Sequence, residues 1–159
     1  FPALVSALAA VKAAAARANA ELGLLAPDVA DAVERAAEEV RAGRHHEHFP
    51  VDMIQGGAGT SSNMNANEVI ANRALELLGR PRGAYDVVGP NAHVNLSQST
   101  NDVYPTALKL ALHGSIDGLR EAMRRLADAF LAKGNEFAPL VKMGRTQLQD
   151  AVPMTLGQE

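Results

Sequence analysis

The sequence predicts an all-α, mainly helical protein: an N-terminal helical domain followed by the start of a long helix-bundle domain. Three observations predict it. Apolar residues recur at helical spacing through most of the chain. Prolines and glycines stand where helices would open and close. Beyond Asn101, one stripe runs Leu108, Leu112, Ile116, Leu119, Met123, Leu126 and Phe130, stepping by 4, 4, 3, 4, 3 and 4. The boundary between the two parts is expected near residue 97, giving domains over 1–97 and 98–159.

The first helix is expected over residues 1–22, which are rich in Ala and carry Leu4, Leu8 and Val11 at helical spacing. Gly23 reads as a turn. Pro27 and Asp28 suit the opening of a second helix, with Val29, Val33, Ala36 and Val40 as its buried stripe and Gly43 as its end. Residues 44–62 are the least helical stretch. Phe49 to Ile54 reads as a short extended segment, and Gly56, Gly57 and Gly59 allow positive φ. A third helix is expected over 65–78, with Asn65 and Glu68 as a capping box and Gly79 as a stop. Residues 79–95 read as loop. The long helix then runs to about Lys133, with Pro105 tolerated in its first turn. Its apolar stripe needs partner helices, and too little chain follows Glu136 to supply them. Pro153 reads as the opening of another helix.

Composition narrows the function. The chain has 159 residues, is 47% hydrophobic and 21% charged, and carries a formal net charge of -3 with scattered basic residues, so no nucleic-acid partner is expected. It has no cysteine, which excludes disulfides and thiolate metal sites and fits a reducing, cytoplasmic setting. No apolar run spans a bilayer, so no membrane partner is expected. Phe1 to Val11 is apolar without a basic leader and does not read as a signal peptide. A start at Phe1 and a stop after "TLGQE" read as cut ends of a longer chain.

Three polar clusters carry chemistry. "GGAGTSSNMNANE" (56–68) places Thr60, Ser61 and Ser62 after a Gly-rich turn, near a helix start. It lacks the Lys of a Walker loop and the βαβ context of a dinucleotide loop. An anion site and ordinary capping both remain open there. "SQSTND" (97–102) crowds Ser99, Thr100 and Asn101 at the mouth of the long helix. A helix start needs one capping residue or two, so the surplus favours a carboxylate ligand over capping alone. "GRTQLQDAVPMTLGQE" (144–159) reads by itself as a polar loop. His45 to His48, "HHEH", offers metal ligands, but neighbours in a solvated loop rarely converge on one ion, and no metal is expected.

Taken together, these clusters resemble the aspartase/fumarase superfamily. "FPVDMIQGGAGTSSNMNANEVIANRALELLG", "HVNLSQSTNDVYPTALKLA" and "KMGRTQLQDAVPMTLGQE" stand in the family's order and cover most of the chain. The start, "ALAAVKAAAARANAELGLL", is similar to the family's N-terminal helices. "FPVDMIQGGAGTS" looks like the aspartate ammonia-lyase branch, whereas fumarases carry a Trp-Gln-Thr-Gly-Ser-Gly-Thr version. Gln147 stands where fumarases have His, and Gln does not titrate near neutral pH. Leu96 stands where many relatives have Lys.

The resemblance implies reversible removal of ammonia from L-aspartate to give fumarate, with no cofactor. It implies that Thr60, Ser99, Thr100, Asn101, Thr146 and Gln147 bind the small dicarboxylate substrate. Removing a proton beside a carboxylate makes a doubly charged aci-carboxylate, and neutral hydroxyl and amide donors suit the charge that develops. The family's general base is a Ser on a Gly-Ser-Ser loop. No such motif stands in this chain, so no catalytic residue is assigned here. The resemblance further implies a homotetramer with each site built from three subunits. A class II fumarase acting on malate, and a non-catalytic helical oligomerisation domain, are the alternatives.

Overall fold

The computed structural model describes residues 1–52, 54 and 57–159. They divide into two compact units, Phe1–Gly114 and Ser115–Glu159. The first unit holds helices α1 (Pro2–Glu21), α2 (Pro27–Arg41) and α3 (Thr60–Leu77), with the opening turns of α4 (Thr100–Phe137). The second holds the rest of α4 and a hairpin of β1 (Val141–Thr146) and β2 (Gln149–Thr155). The mainly helical reading therefore stands, with one small sheet added.

Small side chains build the core of the first unit. Ala9, Ala13 and Ala16 of α1 and Ala32, Val33, Ala36, Ala37 and Val40 of α2 are buried together with Ile70, Ala71, Ala74 and Leu75 of α3. Alanine faces let helices approach closely, so dispersion contacts replace bulk. All three helices end alike. Gly23, Gly43 and Gly79 take positive φ, and the residue after each donates its N–H back to Asn19, Glu39 or Leu75. Gly43 and Gly79 were expected to end helices, and Gly23 to make the turn after the first.

Several expectations are corrected. α3 begins at Thr60, not Asn65, with Gly59 (φ +79) as its cap. Asn65 and Glu68 thus lie inside the helix and form no capping box; the Asn65 amide instead donates to the His48 carbonyl at 2.9 Å. Pro105 lies in the second turn of α4 rather than the first, where its missing N–H removes the ladder bond to the Asn101 carbonyl. Residues 79–95 are not all loop, because Pro90–Val94 makes a short π-helical turn. The extended segment expected over Phe49–Ile54 and the expectation at Gly56 touch Met53 and Gly56, outside the described residues; what is described there contains no strand.

The last segment differs most. Val141 to Thr155 is an antiparallel hairpin, with Val141 opposite Thr155 and Thr146 opposite Gln149. Pro153 lies within β2 opposite Met143 and opens no helix. A two-stranded hairpin has only edge strands, so an edge proline loses no required bond. The turn residues Gln147 (φ +47) and Leu148 (φ +63) are both left-handed, the geometry that matches strand twist in a two-residue turn.

Candidate functional site

The starts of α3 and α4 meet in the first unit. Gly59 packs against the Tyr104 ring so closely that a Cβ there would fall 2.2–2.5 Å from ring carbons. One turn further on, the Asn63 amide of α3 donates to Thr100 Oγ1 of α4 at 3.0 Å. Two helix N-termini, each with a partial positive charge, are thereby held side by side. Thr60 opens α3 and is exposed; Ser99 and Asn101 are exposed and Thr100 is half-buried.

The hydroxyls at the mouth of α4 are arranged as donors. Ser99 is the cap: its carbonyl accepts from the N–H groups of Asp102 and Val103, and its Oγ accepts from the Asn101 N–H at 3.2 Å. Thr100 Oγ1 accepts from Asn63. A hydroxyl that already accepts an N–H keeps its own O–H to give. Ser99 and Thr100 therefore present two O–H donors at the positive end of a helix, a geometry suited to a carboxylate.

A buried polar layer lies beneath. Asn95 Oδ1 accepts from Lys12 Nζ at 2.9 Å, Asn63 Nδ2 at 3.1 Å and Asn67 Nδ2 at 3.2 Å. Lys12 Nζ also donates to Gln98 Oε1 at 2.9 Å, and the Gln98 amide donates to the Val94 and Leu96 carbonyls. Lys12, Asn63 and Asn67 are fully buried. Burial pushes the Lys12 ammonium down to about 7 from 10.5, because charge is costly away from water. Sequence reasoning missed this layer. Its signal was available: Leu4, Leu8 and Lys12 are four apart, so a lysine continues the buried stripe of α1.

Thr146 and Gln147 belong to the second unit, exposed at the tip of the hairpin. Of the six residues expected to bind substrate, the structure thus gathers Ser99, Thr100 and Asn101 at one helix start, with Thr60 opening the helix packed beside it. In the His loop, ligand atoms of His45, Glu47 and His48 lie within 4.8 Å of one another, closer than a solvated loop implied. His45 also pairs with Glu39 of α2 at 3.1 Å, and His46 with the Val40 carbonyl, so the loop is tied to α2.

Two hydroxyl-bearing helix starts thus lie over a buried amide layer in a mainly helical protein. Comparison with known proteins supplies the class. The family model described as "Lyase" matches residues 3–159, and the chain belongs to that family. It is 59% identical to the aspartate ammonia-lyase of Pseudomonas aeruginosa over 159 residues, all of this chain and 34% of that protein. Among solved structures, it is similar to a fumarate lyase:delta crystallin from Brucella melitensis, with a TM-score of 0.84 and 62% identity over 99% of this chain and 36% of that one. It is also similar to a class II fumarase from Schistosoma mansoni, with a TM-score of 0.85 and 40% identity over 99% of this chain and 33% of that one. The chain spans about a third of the length of the curated relatives it matches.

Proposed function

We propose that this chain forms part of a lyase that reversibly deaminates L-aspartate to fumarate and ammonia. The observation that carries the reading is the pair of hydroxyls, Ser99 and Thr100, each accepting an N–H and so left to donate at the start of α4. The choice of aspartate over malate is supported by 59% identity to an aspartate ammonia-lyase against 40% to a fumarase, and by Gln147 in place of His.

In this reading Thr60, Ser99, Thr100 and Asn101 bind substrate carboxylate, and Thr146 and Gln147 are further substrate-binding residues of the assembled enzyme. Residues 1–97 act as the N-terminal domain and 98–159 begin the bundle domain. The proton at the carbon beside the carboxylate leaves to a base outside this chain. The electron pair moves into that carboxylate to give the aci form, and hydroxyl donors stabilise the added charge as it develops. Collapse of the aci form expels ammonia and leaves fumarate. The reaction needs no cofactor, and the working assembly is a cytoplasmic homotetramer.

The test is steady-state turnover of the full-length protein. Thr100→Ala removes one donor to a charged group and is expected to lower kcat/KM for aspartate by about 10- to 100-fold. Thr100→Ser keeps the hydroxyl and is expected to retain most activity. A Thr100→Ala variant as active as the parent overturns the assignment. Hydration of fumarate to malate without any ammonia addition would point to the fumarase reading, and binding of neither substrate to the oligomerisation reading.

A further inference from the structure

Lys12 is the one lysine of α1, and its surroundings are unusual for a cation. It is fully buried, and its two oxygen partners, on Asn95 and Gln98, are neutral amides. No carboxylate pairs with it among the described residues. A buried charge without a counter-charge weakens a fold, and a well-packed apolar side chain of similar volume serves packing as well or better. Packing alone therefore does not account for a lysine here.

Its partners point to the mouth of α4. Asn95 and Gln98 belong to the turn that leads directly into Ser99 and Thr100. Gln98 is fixed at both ends of its amide: the oxygen by Lys12, the nitrogen by the Val94 and Leu96 carbonyls. Asn95 Oδ1 gathers Lys12, Asn63 and Asn67, and Asn63 continues to Thr100 Oγ1. One lysine thus anchors a hydrogen-bonded chain that ends on the half-buried hydroxyl of Thr100.

We propose that Lys12 is a positioning residue for the anion site: it holds the Asn95–Gln98 turn that delivers Ser99 and Thr100, and in its charged form it favours a dicarboxylate at the mouth of α4. The inference rests on the reading of Ser99–Asn101 as a carboxylate site. Lys12 does not touch the ligand. It acts through neutral amides: the Asn95 bond leads through Asn63 to Thr100 Oγ1, and the Gln98 bond fixes the residue that precedes Ser99.

The test uses the full-length protein, with succinate as the probe in calorimetric titration and aspartate in kinetics. Lys12→Met keeps length and burial but removes charge and donor. It is expected to fold, to bind succinate at least about tenfold more weakly, and to raise KM more than it lowers kcat. Asn95→Asp adds a counter-charge but gives up the Asn95 amide's bond to the Gln98 carbonyl, so Asn95→Ala, which gives up the same bond without adding charge, is its control. Asn95→Asp keeps the shape and an acceptor for Lys12 while supplying the missing counter-charge, so it is expected to fold and to weaken succinate by a similar factor. The proposal predicts weaker succinate binding in Asn95→Asp than in Asn95→Ala; a merely structural Lys12 predicts that Asn95→Asp, which keeps the acceptor for Lys12, binds at least as tightly as Asn95→Ala, and that outcome overturns the proposal. Parent-like affinity in folded Lys12→Met or Asn95→Asp also overturns it, and if Lys12→Met fails to fold, the Asn95 pair decides. A parent protein that binds neither succinate nor aspartate would instead sink the site reading on which the proposal rests.

Discussion

At Gly59 the backbone takes φ +79, and the ring of Tyr104 occupies the space a Cβ would need. Both constraints act together, because the turn that opens α3 is also the surface on which the start of α4 rests. Gly59→Ala is expected to destabilise the protein by about 1–3 kcal/mol through strain and displacement of the ring. Denaturant titration checks the stability loss, and a raised KM for aspartate checks the separation of the two helix starts. The glycines of this loop were legible as positions of backbone freedom, and Ser99–Asn101 as a surplus of donors. That Gly59 lies under Tyr104 was not legible, because no local pattern joins residues 45 positions apart. Lys12 was legible in principle, as a charged residue in an apolar register.

Between elements, one ionic cluster joins α2 to α3. Glu39 of α2 accepts from Arg73 Nε at 2.7 Å and Nη2 at 3.1 Å, and meets Arg44 at 2.9 Å and His45 at 3.1 Å. The Arg73 guanidinium holds the Glu39 carboxyl down at about 2, against an ordinary 4.5. A carboxyl held low in the folded state adds stability that is present above pH 4.5 and is lost as pH falls through about 2. Glu39→Gln is expected to cost about 1–2 kcal/mol near neutral pH, since it removes the two-pronged carboxylate contact of Arg73 and leaves that guanidinium only Glu76. It should also flatten the acid limb of a plot of melting temperature against pH. An unchanged acid limb would assign acid sensitivity to other carboxylates. Helix ends were the most legible elements, because Gly at the stop has a local cause. The hairpin was the least legible. Its turn is Gln147–Leu148 rather than the Asn-Gly pair that marks such turns, and its Pro153 imitates a helix start.

Over the whole molecule, the apolar stripe expected beyond Asn101 lies on one helix, α4, and its residues are exposed. Leu119, Met123 and Phe130 are 61%, 62% and 70% exposed. Seven large apolar residues in one uncovered line are far more than a lone surface carries by chance. Placing two carboxylates in that line, by Leu119→Glu with Met123→Glu, is expected to reduce the assembly mass of the full-length protein and to abolish turnover with it. Light scattering coupled to gel filtration reads the mass; an unchanged mass would place the subunit contacts elsewhere.

The lysine beneath the α4 mouth has an evolutionary corollary. Removing a buried, unpaired charge relieves its desolvation cost, so thermal screening of this protein is expected to favour neutral replacements at position 12 and, on the proposal above, to select weaker binders. Robustness and ligand capture would then be traded at a single side chain that never meets the ligand.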